Sequence, residues 1–126
     1  MKLQKNFLPN FKTSLTRVGR NNDGGYCVPD KSLDNSSILL SFGLNDDWSF
    51  EREFMKKNTK VEILVFDNSV NSYFWFKNFI KIIRDVLLFK KQPFLILQFI
   101  FKIFDYLNFF RSSRISHIRK NIIQIN

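Results

Sequence analysis

The stretch from Ile38 to Asp67 constrains the fold of this chain most. Ile38, Leu39 and Leu40 form a short apolar run that stops at Ser41-Phe42-Gly43. Such a run suits a strand covered on both faces, as in a parallel sheet. From Trp48 the period changes: Phe50, Phe54 and Met55 recur at helical spacing among charged residues. Asn58 and Thr59 end that pattern, and Val61 to Phe66 makes a second apolar run closed by Asp67. Strand, tight turn, helix and strand together predict a βαβ unit, and hence an α/β protein with a parallel strand pair.

In such a unit the chemistry lies at the carboxyl ends of the strands. Gly43 allows a sharp turn and close approach of a ligand to the backbone. The helix after it aims its first N–H groups at the same place, which suits polar or anionic groups. Asp67 ends the adjacent strand 24 residues later, a spacing at which an acidic residue commonly takes ribose hydroxyls. No second or third glycine comes after Gly43, so the turn does not fit a pyrophosphate, and a nucleoside without one fits better. The same residues equally describe a plain strand-helix-strand unit whose Asp merely caps the next segment. Asp46, Asp47 and Ser49 are candidate helix caps, and Glu51 is placed to close a capping box.

Three motifs go further. Val18 to Asp30 (VGRNNDGGYCVPD), Ser41 to Glu51 (SFGLNDDWSFE) and Val65 to Val70 (VFDNSV) together resemble the FkbM-like S-adenosylmethionine-dependent methyltransferases, in the branch with a DGGY motif ahead of the cofactor loop. The resemblance covers about residues 14–72. It implies a partial Rossmann-like class I methyltransferase fold, with S-adenosylmethionine as cofactor and a sugar hydroxyl or other small-molecule group as acceptor. It further implies that the loop Ser41, Phe42, Gly43, Leu44 lies near the methionine part of the cofactor. Asp67, with Asn68 after it, would reach the ribose, and Asp23-Gly24-Gly25-Tyr26 would lie beside the pocket. No catalytic base can be assigned. The later acidic strand motif of the family is not found. The expectation is therefore a single incomplete domain over 1–126, inactive as an enzyme on its own, with the edge of the Ile38 strand open to a second chain that completes the sheet.

The remaining chain refines this expectation. At 126 residues with 44% hydrophobic content, the length suits one domain. Alanine is absent while Phe, Ile, Lys and Asn abound, a pattern of AT-rich coding that weakens both Phe content and charge as functional signals. Leu15–Val18 and Tyr26–Val28 flank an Asp-Gly-containing loop and predict a hairpin. Residues 29–37 read as a polar connector. Residues 73–87 predict an amphipathic helix, Lys90 to Pro93 break it, and Phe94 to Phe110 predicts a second, with Gln98, Lys102, Asp105 and Asn108 on its polar side. This second run is too short and too charged to span a bilayer. The two helices either cover the sheet and the mouth of the site, or lie in a membrane interface.

Net charge is +9, and +8 of it falls in residues 68–126. That half suits a solvated helix surface, or peripheral membrane contact through residues 73–120. The basic and aromatic residues carry no nucleic-acid-binding motif. One cysteine, Cys27, excludes an internal disulfide and a multi-cysteine metal site. The single histidine, His117, reads as a packing or surface residue. The start of the chain lacks an apolar core of signal-peptide length, and a cytoplasmic location is expected. A second class of function is carried forward beside the enzyme: a non-enzymatic basic amphipathic protein that binds a membrane surface or a protein partner.

Overall fold

The structure is a computed structural model and describes residues 13–21 and 24–119. The chain begins with an antiparallel hairpin, β1 (Leu15–Gly19) and β2 (Gly25–Pro29), in register from Leu15↔Pro29 to Gly19↔Gly25. The hairpin predicted from the Asp-Gly loop is present. The expected polar connector instead contains a short helix, α1 (Asp30–Asn35). Its single buried side chain, Leu33, gives too weak a periodicity for a helix to be read from sequence. β3 (Ile38–Phe42), α2 (Ser49–Lys57) and β4 (Glu62–Phe66) then form the predicted βαβ unit, with β3 and β4 parallel from Ile38↔Glu62 to Phe42↔Phe66.

Two helices come next, α3 (Ser72–Leu87) and α4 (Phe94–Phe110), and the chain returns as β5 (Ile115–Ile118). β5 pairs parallel to β4, from Ile63↔Ile115 to Phe66↔Ile118. The sequence predicts two parallel strands, then helices and a basic tail; the structure has three parallel strands in the order β3-β4-β5. Ile-Ser-His-Ile is too short and too polar to signal a strand alone. It is held by tertiary pairing: Ile63 N donates to Arg114 O at 2.8 Å and Asp67 N to Ile118 O at 3.2 Å. Arg114, which reads as part of the tail, donates through Nη1 to the carbonyls of Asn58 and Thr59 and locks the start of β5 to the end of α2.

Alternation along the strands places the core. Ile63 and Val65 of β4 are fully buried and lie on the same face as Leu39 of β3 and Ile115 of β5, as the register requires. That face meets Phe54 of α2 and an aromatic layer of Trp48, Tyr106 and Phe109. His117 of β5 stacks on Phe110, with ring centroids 4.6 Å apart. Its Nε2 lies 2.9 Å from the Asp67 carbonyl and its Nδ1 3.4 Å from the Tyr106 hydroxyl, so the histidine is a packing residue. The opposite face of the sheet is open at β3, where Ile38, Leu40 and Phe42 are all more than half exposed. Among the described residues the outer edge of β3 has no strand beside it. The molecule is thus a mixed α/β protein with a small parallel three-stranded sheet.

Candidate functional site at the carboxyl end of the first parallel strand

A cleft of about 560 Å³ opens where β3 ends. Its floor is Leu40, Ser41 and Phe42, then the turn Gly43-Leu44-Asn45. Its walls are the hairpin, through Arg20, Gly24 and Tyr26, and the start of α2, through Asp47, Phe50 and Glu51. Ser41, Phe42, Gly43, Leu44 and Gly24, all named from sequence, come together here. Asp23 lies outside the described residues. Asp67 and Asn68 are not among the lining residues.

Each wall is set by local chemistry. Gly43 has φ +73°, and a Cβ added there would meet no atom within 4 Å. The turn therefore needs glycine for its backbone angle and leaves the cleft open beside it. Its amide donates to Phe66 O at 3.1 Å, which ties the turn to the end of β4. Gly24 is favoured by its backbone angle of φ +91°, and its α-carbon lies close to the Asp47 carboxylate. Ser49 Oγ bridges the hairpin to α2, accepting from Arg20 N at 3.2 Å and donating to Gly24 O at 3.4 Å. Gly19 N donates to Glu53 Oε2 at 2.7 Å. The hairpin is thus pinned at Gly19, Arg20 and Gly24 against the helix that borders the cleft. α2 itself starts after Trp48 without a side-chain cap at that residue. Asp47 Oδ1 accepts from Ser49 N at 3.0 Å instead, so one of the candidate acidic caps acts just ahead of the helix.

Asp67 shapes the turn. It is only 4% exposed. Its Oδ2 accepts from Asn45 N at 2.6 Å, and its Oδ1 accepts from both the backbone N and the hydroxyl of Ser69, each at 2.6 Å. The carboxylate expected to hold ribose hydroxyls is engaged in fixing Asn45, which adopts φ +51°, and the loop after β4. In this arrangement Asp67 is a positioning residue.

Glu51 is the site residue that the sequence placed in the wrong role. It does not close a capping box. It is 6% exposed, and its Oε1 accepts a short hydrogen bond from Ser41 Oγ across the cleft floor. Burial raises its pKa above the ordinary carboxylate range; the Ser41 bond opposes that shift and the neighbouring Asp47 adds to it. The other acids of the cleft have cations: Asp47 faces Arg20 at 3.7 Å, and Asp46 faces Lys102 of α4 at 2.6 Å. Among the described residues, no ion pair serves Glu51. Periodicity could not have found it, because a glutamate in a first helical turn is ordinarily a dipole or capping residue.

On the other side of Asp46 and Lys102 lies a second cleft of about 780 Å³, lined also by Arg52, Lys56 and Asp105. Arg52 Nη2 donates to both oxygens of Asp105 at 2.8 Å, Trp48 Nε1 donates to Asp105 Oδ2 at 3.0 Å, and the guanidinium lies over the Phe109 ring. The Arg52–Asp105 pair holds α4 onto α2. No cluster of potential metal ligands occurs among the described residues. The fold and the cleft define an α/β protein with a polar pocket at the carboxyl end of a parallel strand. Compared with protein-family models, curated proteins and solved structures, the chain matches none.

Proposed function

We propose that this chain binds S-adenosylmethionine in the cleft at Gly43, as the cofactor-binding half of a class I methyltransferase fold of the FkbM-like kind. The observation that carries the reading is Glu51: a buried carboxyl beside an open glycine turn, with no cation paired to it among the described residues. A ligand that brings positive charge lowers the cost of ionising such a group. S-adenosylmethionine carries a sulfonium and an ammonium, and its carboxylate would share Arg20 and Lys102, which line the cleft, with their partners Asp47 and Asp46. The strand order supports the same reading, since β5-β4-β3 is the 3-2-1 order of one half of a doubly wound sheet. In such sheets ligands bind outside the carboxyl ends of the strands, where the order reverses. Here that place is β3.

When bound, the cofactor supplies an activated methyl group. The chain's own part is to hold it. Gly43 leaves the space, Ser41 orients Glu51, and Asp67 fixes the turn through Asn45. The implied acceptor is a sugar hydroxyl or a similar small-molecule group, and in-line placement of acceptor, methyl and sulfur is the main source of rate in such a displacement. The acceptor wall belongs beyond the open edge of β3, where a second chain or further strands would complete the sheet. An amide NMR titration with S-adenosylmethionine tests the placement. Signals of Gly24, Ser41 to Leu44 and Glu51 should move together, while those on the outer face of α4 stay fixed. Shifts confined to α3 and α4 would remove the cleft as the site.

A further inference from the structure

α4 turns a continuous apolar stripe outward. Its two charged residues face the body of the protein, Lys102 against Asp46 and Asp105 against Arg52. Its outer face carries Phe94, Leu97, Phe101, Phe104 and Leu107, all exposed, with the uncharged Gln98 and Asn108 exposed beside them. The apolar spacing of three and four residues makes one continuous stripe. Surface helices ordinarily turn the polar side outward. α3 presents a second stripe next to its basic one: Phe76, Ile80 and Leu87 are exposed, and so are Lys77, Lys81 and Arg84.

The turn between the helices breaks a local rule in the same direction. α3 ends in a Schellman arrangement, with Phe89 N donating to Val86 O at 2.9 Å and Lys90 N to Asp85 O at 2.8 Å. The left-handed position of that motif favours glycine. Here it is Phe89, at φ +54° and 97% exposed. A bulky ring held outward at a strained position, with no packing in return, points to an occupant outside the chain.

Charge selects the occupant. Residues 72–111 contain seven Lys and Arg and only two acids. Both acids are engaged: Asp85 is buried and paired with Arg84 and Lys91, and Asp105 is paired with Arg52. The surface around the apolar stripes is therefore basic. A second copy docked face to face would set cations against cations, whereas an anionic bilayer satisfies both the rings and the charges. No helix among the described residues is long and apolar enough to cross a membrane, so the geometry is interfacial. We propose that α3 and α4 form a docking hairpin that lies in the surface of an anionic lipid bilayer, with the Phe89 turn inserted and Lys77, Lys81 and Lys90 toward the lipid phosphates. The lipid contact is independent of the cofactor reading.

Co-sedimentation of the full chain with vesicles tests it, using phosphatidylcholine alone and phosphatidylcholine mixed with phosphatidylserine. The expected result is binding to the mixed vesicles, weak binding to phosphatidylcholine, and loss in high salt. Phe89→Gly should lower the affinity about tenfold, the worth of one buried aromatic ring. It should keep or raise the melting temperature, so the loss cannot be ascribed to unfolding. The double variant Lys77→Glu/Lys81→Glu should lower affinity for the mixed vesicles by at least about tenfold. The proposal is overturned by no binding to either vesicle, by binding indifferent to phosphatidylserine and to both variants, or by an oligomer in solution that Phe89→Gly dissociates.

Discussion

At the scale of single residues, two carboxyl groups hold different offices, and each makes a prediction. Glu51 is buried with a raised pKa, so its stability contribution has a definite sign. The folded state favours the protonated acid. The contribution is full below the ordinary glutamate pKa of about 4.3 and is lost as pH rises through the raised folded value. Glu51→Gln keeps an acceptor for Ser41 and removes the charge. It should melt at a higher temperature than the wild type at pH 7, and the difference should shrink toward pH 4. Thermal unfolding across that range is the check, and an unchanged or lower melting temperature at pH 7 would contradict the burial argument. Asp67 acts through hydrogen bonds. Its carboxylate accepts from two backbone amides and a hydroxyl, and removing it leaves buried donors unpaired. Asp67→Ala should cost about 2–4 kcal/mol in denaturant unfolding. A loss under about 0.5 kcal/mol would mean that the three bonds are not all made in solution.

At the scale of elements, the hairpin, the βαβ unit and both long helices were legible in the sequence, and the orientation of α4 and the existence of β5 were not. Apolar runs bounded by Gly43 and Asn58 announce β3, α2 and β4 because burial sets their period. α3 is equally plain, and it carries a true side-chain cap: Asn71 Oδ1 accepts from Phe74 N at 2.9 Å. Asn71→Ala should destabilise the protein by about 1 kcal/mol, measured by chemical denaturation. α4 also shows its polar side in the sequence, at Lys102 and Asp105. Which way that side faces depends on Asp46 and Arg52, more than fifty residues away along the chain, and no local pattern encodes it. β5 is four residues long and exists through its partner. The site divides along the same line. Gly43 and Gly24 were readable because glycine at a turn has few explanations, whereas Glu51 acquires its role from burial against Ser41. At the α3 terminus, Phe89→Gly should raise stability by up to about 1 kcal/mol, the cost of a side chain in the left-handed region. No gain in unfolding free energy would remove the strain argument.

At the scale of the whole molecule, the sheet is covered by packed aromatics on one face, and on the other, among the described residues, it is exposed at β3. Parallel sheets are ordinarily buried on both faces, and an open edge beside exposed Ile38, Leu40 and Phe42 invites pairing with another chain. The isolated chain should therefore self-associate as concentration rises, and Ile38→Lys should suppress this without touching the cleft. Sedimentation velocity over a range of concentrations separates the cases: a wild type that stays monomeric with one sharp unfolding transition contradicts the prediction. α4 joins the two proposed surfaces. Its inner face supplies Lys102 to the cleft, and its outer face carries the proposed lipid contact, so a docked molecule would hold its cleft next to the bilayer.

The decisive measurement for the cofactor cleft is a calorimetric titration of S-adenosylmethionine into the wild type and into Glu51→Gln at pH 7. The cleft reading predicts saturable one-to-one binding by the wild type. It also predicts an affinity at least about tenfold lower in the variant, the worth of one charge-assisted contact, although the variant is the more stable protein. No heat of binding from a folded wild type, or equal affinity in the two, would contradict it.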